Sequence, residues 1–121
     1  MAHVLIVEDE PDVLLLLESR VRTAGHEVES AINGELALEA IGTRAPDVVI
    51  LDWMMPRLDG IAVCESIRST DTEHRTKVLM LTAKSQQHDI ERAYAAGVDD
   101  YIVKPFSSRD LIARVAALAP A

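Results

Sequence analysis

The run Val4-Leu5-Ile6-Val7-Glu8-Asp9-Glu10-Pro11 decides the fold. Four consecutive apolar residues read as a strand, and Pro11 is suited to the first turn of a helix directly after it. Glu8 and Asp9 therefore stand at the strand's C-terminal tip. A second run, Val48-Val49-Ile50-Leu51, is continuously apolar, as in a strand covered on both faces, and it ends in Asp52. A third, Tyr101-Ile102-Val103, is followed by Lys104-Pro105. In a parallel α/β sheet these tips converge on one edge, which is where open α/β folds bind ligands. Three carboxylates and a lysine then share one pocket. Such a cluster repels itself unless a divalent cation occupies it, and hard oxygen ligands suit Mg²⁺ or Mn²⁺.

Working outward, short apolar runs alternate with amphipathic stretches, the rhythm of a β/α protein with a parallel sheet. The first helix is expected to end near Gly25 and a more exposed strand to cover Val28-Glu29-Ser30-Ala31. A helix from about Glu35 to Ile41 follows, then one from Ile61 to Ser69 and a strand Val78-Leu79-Met80-Leu81. A helix ending near Gly97 and a last helix from about Ser108 bring the count to five strands and five helices. Asp59-Gly60 reads as a turn and helix start. No repeat or linker interrupts the chain, so residues 1–121 are expected to form one domain; Ala119-Pro120-Ala121 has the composition of a linker's beginning. In the first helix Val13, Leu16, Leu17, Val21 and Ala24 share one face of the wheel, with Leu14 at its border and Leu15 opposite. Leu15 is either a lone surface leucine or part of a docking surface for a partner helix.

At 121 residues the chain is large enough to bury a core without disulfides. The single cysteine, Cys64, lies in Ile61-Ala62-Val63-Cys64 and reads as a packed helix position, not a reactive thiol. The four histidines are scattered without zinc-ligand spacing. The apolar runs are too short to span a bilayer and the N-terminus enters a strand without a charged leader, so a soluble, cytoplasmic domain without a membrane partner is expected. A net charge of −8 argues against direct nucleic-acid binding.

Four segments carry a family resemblance: Val4 through Glu10, Leu51-Asp52-Trp53-Met54-Met55-Pro56-Arg57-Leu58-Asp59-Gly60, Leu81-Thr82-Ala83, and Gly97 through Phe106. In this order the chain resembles, over essentially its whole length, the receiver domain of two-component response regulators, of both chemotaxis and winged-helix transcription-factor types. The resemblance implies a doubly wound (βα)5 flavodoxin-like three-layer sandwich with strand order 2-1-3-4-5. It makes Asp52 the nucleophile that takes a phosphoryl group from a phosphohistidine on a sensor histidine kinase or phosphotransfer protein. Asp9 and Asp52 would bind Mg²⁺ directly, Glu8 mainly through a water, and Met54 through its backbone carbonyl. Thr82, Ala83 and Lys104 are assigned to phosphoryl binding and catalysis, and Pro105 to a cis peptide.

Such transfer needs charge neutralisation on the phosphoryl oxygens and donors placed to hold them. Taken singly, Asp9 and Glu10 suit a helix N-terminus, Thr82 a helix cap and Lys104 a surface charge. Only convergence on one edge joins them. Met54 and Lys84 occupy positions that border the path of the hydrolytic water in this family. An apolar Met54 would obstruct it, while Lys84 either attracts the phosphoryl group or faces solvent. Thr82 and Tyr101 form the implied relay to the face made by helix four, strand five and helix five, though Tyr101 also suits simple packing there.

The expected role is a signalling switch that catalyses only its own phosphorylation and dephosphorylation. A haloacid-dehalogenase-type phosphohydrolase would carry a second Asp where Met54 stands. A flavin module would want a Ser/Thr/Gly-rich loop in place of Glu8-Asp9-Glu10-Pro11. A receiver-like module that is never phosphorylated would have lost a site residue, and none is lost. Asp99, Asp100, Asp110 and Arg114 resemble charges used for symmetric dimerisation on phosphorylation. Ile90 departs from that pattern, where a basic residue is expected, and is either an apolar contact or core.

Overall fold

The computed structural model describes residues 1–120, so the linker-like stretch runs outside the described residues at Ala121. The order is β1 (His3–Val7), α1 (Pro11–Thr23), β2 (Glu27–Ala31), α2 (Gly34–Thr43), β3 (Val48–Asp52), α3 (Gly60–Thr70), β4 (Lys77–Thr82), α4 (Gln87–Ala95), β5 (Asp100–Val103) and α5 (Ser108–Leu118). All four strand pairings are parallel, and the sheet runs β2-β1-β3-β4-β5. β1 and β3 are buried along their whole length, as continuous apolar runs require, whereas β2 sits at the sheet edge with most of its residues exposed.

Alternation along each strand divides the core in two. Leu5, Val7, Val49, Leu51, Val78, Met80 and Tyr101 face α2, α3 and α4. Val4, Ile6, Val48, Ile50, Leu79, Leu81 and Ile102 face α1 and α5. Three helices start on side-chain caps: Asn33 accepts from Leu36 N–H, Asp59 from Ala62 N–H and Ser107 from Asp110 N–H, each replacing a bond that the first turn lacks. Asp59-Gly60 is thus the helix start that the sequence suggests.

The inner face of α1 differs from expectation. Leu14, Leu17 and Val21 are buried, while Leu16 is 43% exposed and Ala24 is an exposed C-cap. The face is turned by about 60° from the expected one. Val13 through Leu17 are all apolar, so the wheel alone leaves the orientation open, and docking beside α5 selects it. Leu15, at 64%, is exposed as expected.

A polar network ties α3 to the turns beneath the sheet. Arg68 donates from Nε to Gly97 O (2.9 Å), from Nη1 to Thr76 O (2.7 Å) and Asp71 Oδ2 (3.3 Å), and from Nη2 to Asp99 Oδ2 (2.6 Å). Asp99 also accepts Val78 N–H at 2.7 Å, and its other oxygen lies 3.4 Å from His74 Nδ1.

Candidate functional site

Register sets the level at which each site residue leaves the sheet. Val7 pairs with Leu51, so Glu8 and Asp52 follow neighbouring strands at one height. Asp52 pairs with Leu81 and Thr82 with Val103, which brings Thr82 and Lys104 next along the edge. Two further bonds extend the ladder: Glu8 N–H to Ala31 O (3.1 Å) and Lys104 N–H to Thr82 O (2.8 Å). Gly60 lets α3 close against the tip of β3, because a Cβ there would come within 2.4 Å of the Asp52 carbonyl oxygen.

Carboxylate oxygens of Glu8, Asp9 and Asp52 lie within 4.8 Å of one another. Lys104 Nζ is 3.6 Å from Glu8 Oε1 and 3.7 Å from Asp52 Oδ1. Glu8 and Asp52 are buried and Asp9 is the open member of the trio. Burial pushes the Glu8 carboxyl up to about 7 against the Glu10 N–H that it accepts; the Asp52 charge adds to the rise and Lys104 offsets part of it. Burial raises Asp52 too, with Lys104 drawing it back. One ammonium cannot neutralise three carboxylates, and Glu8 Oε1 is buried without a hydrogen-bond partner. An orphaned carboxylate oxygen within an all-oxygen cluster is the donor set of a hard divalent cation, so the residues present fit such an ion.

Thr82 is fully buried, and its Oγ1 accepts the Lys84 N–H at 3.2 Å. It does not cap α4, whose N-cap is Gln86. Tyr101 is buried and donates its hydroxyl to Lys84 O at 2.7 Å; burial pushes that hydroxyl up to about 12, which keeps it a donor. Ala83 lies exposed in the loop after β4, and the Met54 side chain is 61% exposed, leaving only its backbone beside Asp52. The Lys104-Pro105 peptide is cis.

Lys84, left open by the sequence between attracting the phosphoryl group and facing solvent, makes a contact that neither reading includes. Its ammonium sits over the Trp53 ring, 5.2 Å from the centroid. Sequence reading missed this contact because it joins two loops more than thirty residues apart, with no periodicity to announce it. Ile90 packs partly buried against the core. Asp99 turns both oxygens inward to Arg68, Val78 and His74, while Arg114 pairs within the domain with Asp100 (2.8 Å) and Asp110 (3.1 Å). Cys64 is buried and its thiol is pushed by burial up to about 11, in keeping with an inert, packed position. Among the described residues, the Glu8-Asp9-Asp52 trio is the one group with metal-ligand geometry, and no helix is long and apolar enough to cross a membrane.

Fold and site together define a flavodoxin-like α/β domain with an acidic, lysine-bearing pocket at the C-terminal edge of its sheet. Residues 4–116 match the family model of the response regulator receiver domain. The chain is 39% identical over 118 residues, 98% of its length, to the phosphate regulon transcriptional regulatory protein PhoB of Rhizobium meliloti, of which it covers 52%. It is 41% identical over 115 residues, 95% of its length, to the alkaline phosphatase synthesis transcriptional regulatory protein PhoP of Bacillus subtilis, of which it covers 47%. The chain thus spans about half the length of the curated relatives it matches. Among solved structures, the chemotaxis protein CheY4 of Vibrio cholerae superposes with a TM-score of 0.91 at 30% identity, covering 98% of each chain. The chain belongs to the response regulator receiver domain family and is a receiver domain of two-component signalling.

Proposed function

We propose that Asp52 is the phosphoacceptor of a switch that a sensor histidine kinase or histidine phosphotransfer protein phosphorylates. The observation that carries this is one lysine ammonium within 3.7 Å of both Glu8 and Asp52, at a strand-end edge where Asp9 completes the acidic trio. An Asp52 oxygen attacks phosphorus, the P–N bond of the phosphohistidine breaks, and the imidazole leaves with a proton. Lys104 pairs with a phosphoryl oxygen; the Thr82 hydroxyl and the backbone beside Ala83 hold the others. Asp9 and Asp52 would hold Mg²⁺, or Mn²⁺, with Glu8 and the Met54 backbone supporting; the ion supplies charge neutralisation.

Phosphorylation adds a charge of about −1.5 to −2 at Asp52. Thr82 and Tyr101, both bonded to Lys84, carry the change toward the face of α4, β5 and α5. Output passes through protein contacts of that face, since a domain of net charge −8 is a poor partner for nucleic acid. The transcriptional output in the names of PhoB and PhoP is the one favoured here. Residues 1–121 act as a single switch domain of the cytoplasm that turns over no separate substrate.

Incubation with acetyl phosphate and Mg²⁺ should add one phosphoryl mass, and Asp52→Asn should abolish it. Stoichiometric labelling of that variant would sink the assignment. Sedimentation with a beryllofluoride mimic tests pairing through α4, β5 and α5: dimers lost in Arg114→Glu support that face, and a persistent monomer points to docking on another protein.

A further inference from the structure

Lys84 makes three contacts that no other residue of the β4–α4 loop combines. Its backbone N–H donates to Thr82 Oγ1, its carbonyl accepts the Tyr101 hydroxyl, and its ammonium rests on the ring of Trp53, the residue after Asp52. None of the carboxylates of the described residues lies within ion-pair distance of that ammonium, so the ring is its recorded partner. A lysine side chain is costly to immobilise, and the cation–π contact offsets that cost on one face of a buried indole.

The consequence falls on Thr82. With one lone pair of Oγ1 taken by the Lys84 N–H, the hydroxyl hydrogen is directed elsewhere, and the neighbouring anion to be met is a phosphoryl group on Asp52. We propose that Lys84 is a positioning residue for phosphoryl transfer: stacked on Trp53, it fixes the peptide that orients Thr82 as a donor. This rests on Asp52 being the phosphoacceptor. It differs from a general attraction of anions by a nearby lysine, which acts through charge at a distance and not through the ring.

The two mechanisms separate by donor charge, salt and rescue. Rates of phosphorylation are measured with acetyl phosphate, a dianion at neutral pH, and with phosphoramidate, largely a monoanion, at low and high ionic strength. Lys84→Met keeps the stem but loses the charge, Lys84→Arg keeps the stack, and Trp53→Leu removes the ring. The expected result is a fall of about two- to fivefold in Lys84→Met, the range that a cation–π contact supports, equal for both donors and insensitive to salt. Lys84→Arg should restore the rate, and Trp53→Leu combined with Lys84→Met should be no slower than the slower single variant, because both break one contact. Thermal melts confirm that each variant is folded. A rate unchanged in Lys84→Met, a loss confined to acetyl phosphate and erased by salt, or additive losses in the double variant would overturn the inference while leaving Asp52 as acceptor. Wild-type protein that takes up no phosphoryl group would overturn both.

Discussion

Replacing Arg68 by Met tests whether the network beneath the sheet holds the fold together. The Arg68 side chain is 10% exposed, and its acid partners Asp71 and Asp99 are 19% and 17% exposed. Removing one member of a buried ion pair costs about 3–5 kcal/mol, because the remaining charge stays buried and unpaired. Two features move this case down the range. Asp99 keeps the Val78 N–H, and Asp71 keeps the N–H groups of Arg75 and Thr76, so neither carboxylate is orphaned. In the other direction, the carbonyls of Thr76 and Gly97 lose a charged donor, at roughly 1 kcal/mol each. From the low end of that range, about 3 kcal/mol, the two carbonyls bring the sum to about 5 kcal/mol, a large fraction of the 5–15 kcal/mol typical of a domain. Urea denaturation of Arg68→Met should show the midpoint lowered with the slope unchanged. Glu65→Ala serves as the control: its partner Arg92 and Glu65 itself are about half exposed, and such pairs contribute under about 1 kcal/mol. A loss below about 1 kcal/mol in Arg68→Met would refute the reasoning and place the network among surface decorations.

Glu8 has a folded pKa raised to about 7 from an ordinary 4.5, so the stability linked to it is fully present below pH 4.5 and is lost as pH rises through 7. Without divalent metal, stability should fall by about 3 kcal/mol across that window; Glu8→Gln should flatten the fall, and a profile identical in both proteins would contradict the assignment. Mg²⁺ should raise the melting temperature at pH 7.5 and change Trp53 fluorescence, and Asp9→Asn should lose both responses; equal titrations would place the ion elsewhere. Gly60→Ala should destabilise the domain and slow labelling of Asp52, since the added Cβ meets backbone, which cannot swing aside; unaltered melting and labelling would disprove the close approach. Cys64, buried and with its thiol pushed up to about 11, should react with a thiol reagent only at the rate of unfolding, and fast native labelling would show an opening between α3 and α4.

What the chain determines by itself is local order and its rhythm. Apolar runs at Val4, Val48, Val78 and Tyr101 are strands: each is short and most are rich in β-branched or aromatic residues, whereas the apolar run at residues 13–17 lies inside a longer helical stretch opened by Pro11. The acids and Lys104 follow those runs directly, so their meeting at one edge is legible in the sequence, parallel strands having all their C-terminal tips on one side. The rest depended on partners distant in sequence. The α1 wheel was ambiguous, and the sheet with α5 chose Leu14 over Leu16. Asp99 reads as one of the charges of a dimerisation face until Arg68, thirty-one residues away, is brought beneath it. Lys84 reads either as an attractor of the phosphoryl group or as a solvent lysine, and only the β3–α3 turn places Trp53 under its ammonium. Periodicity carries information about which face a residue is on, but none about which side chain from another element waits there; that is settled only when the layers close.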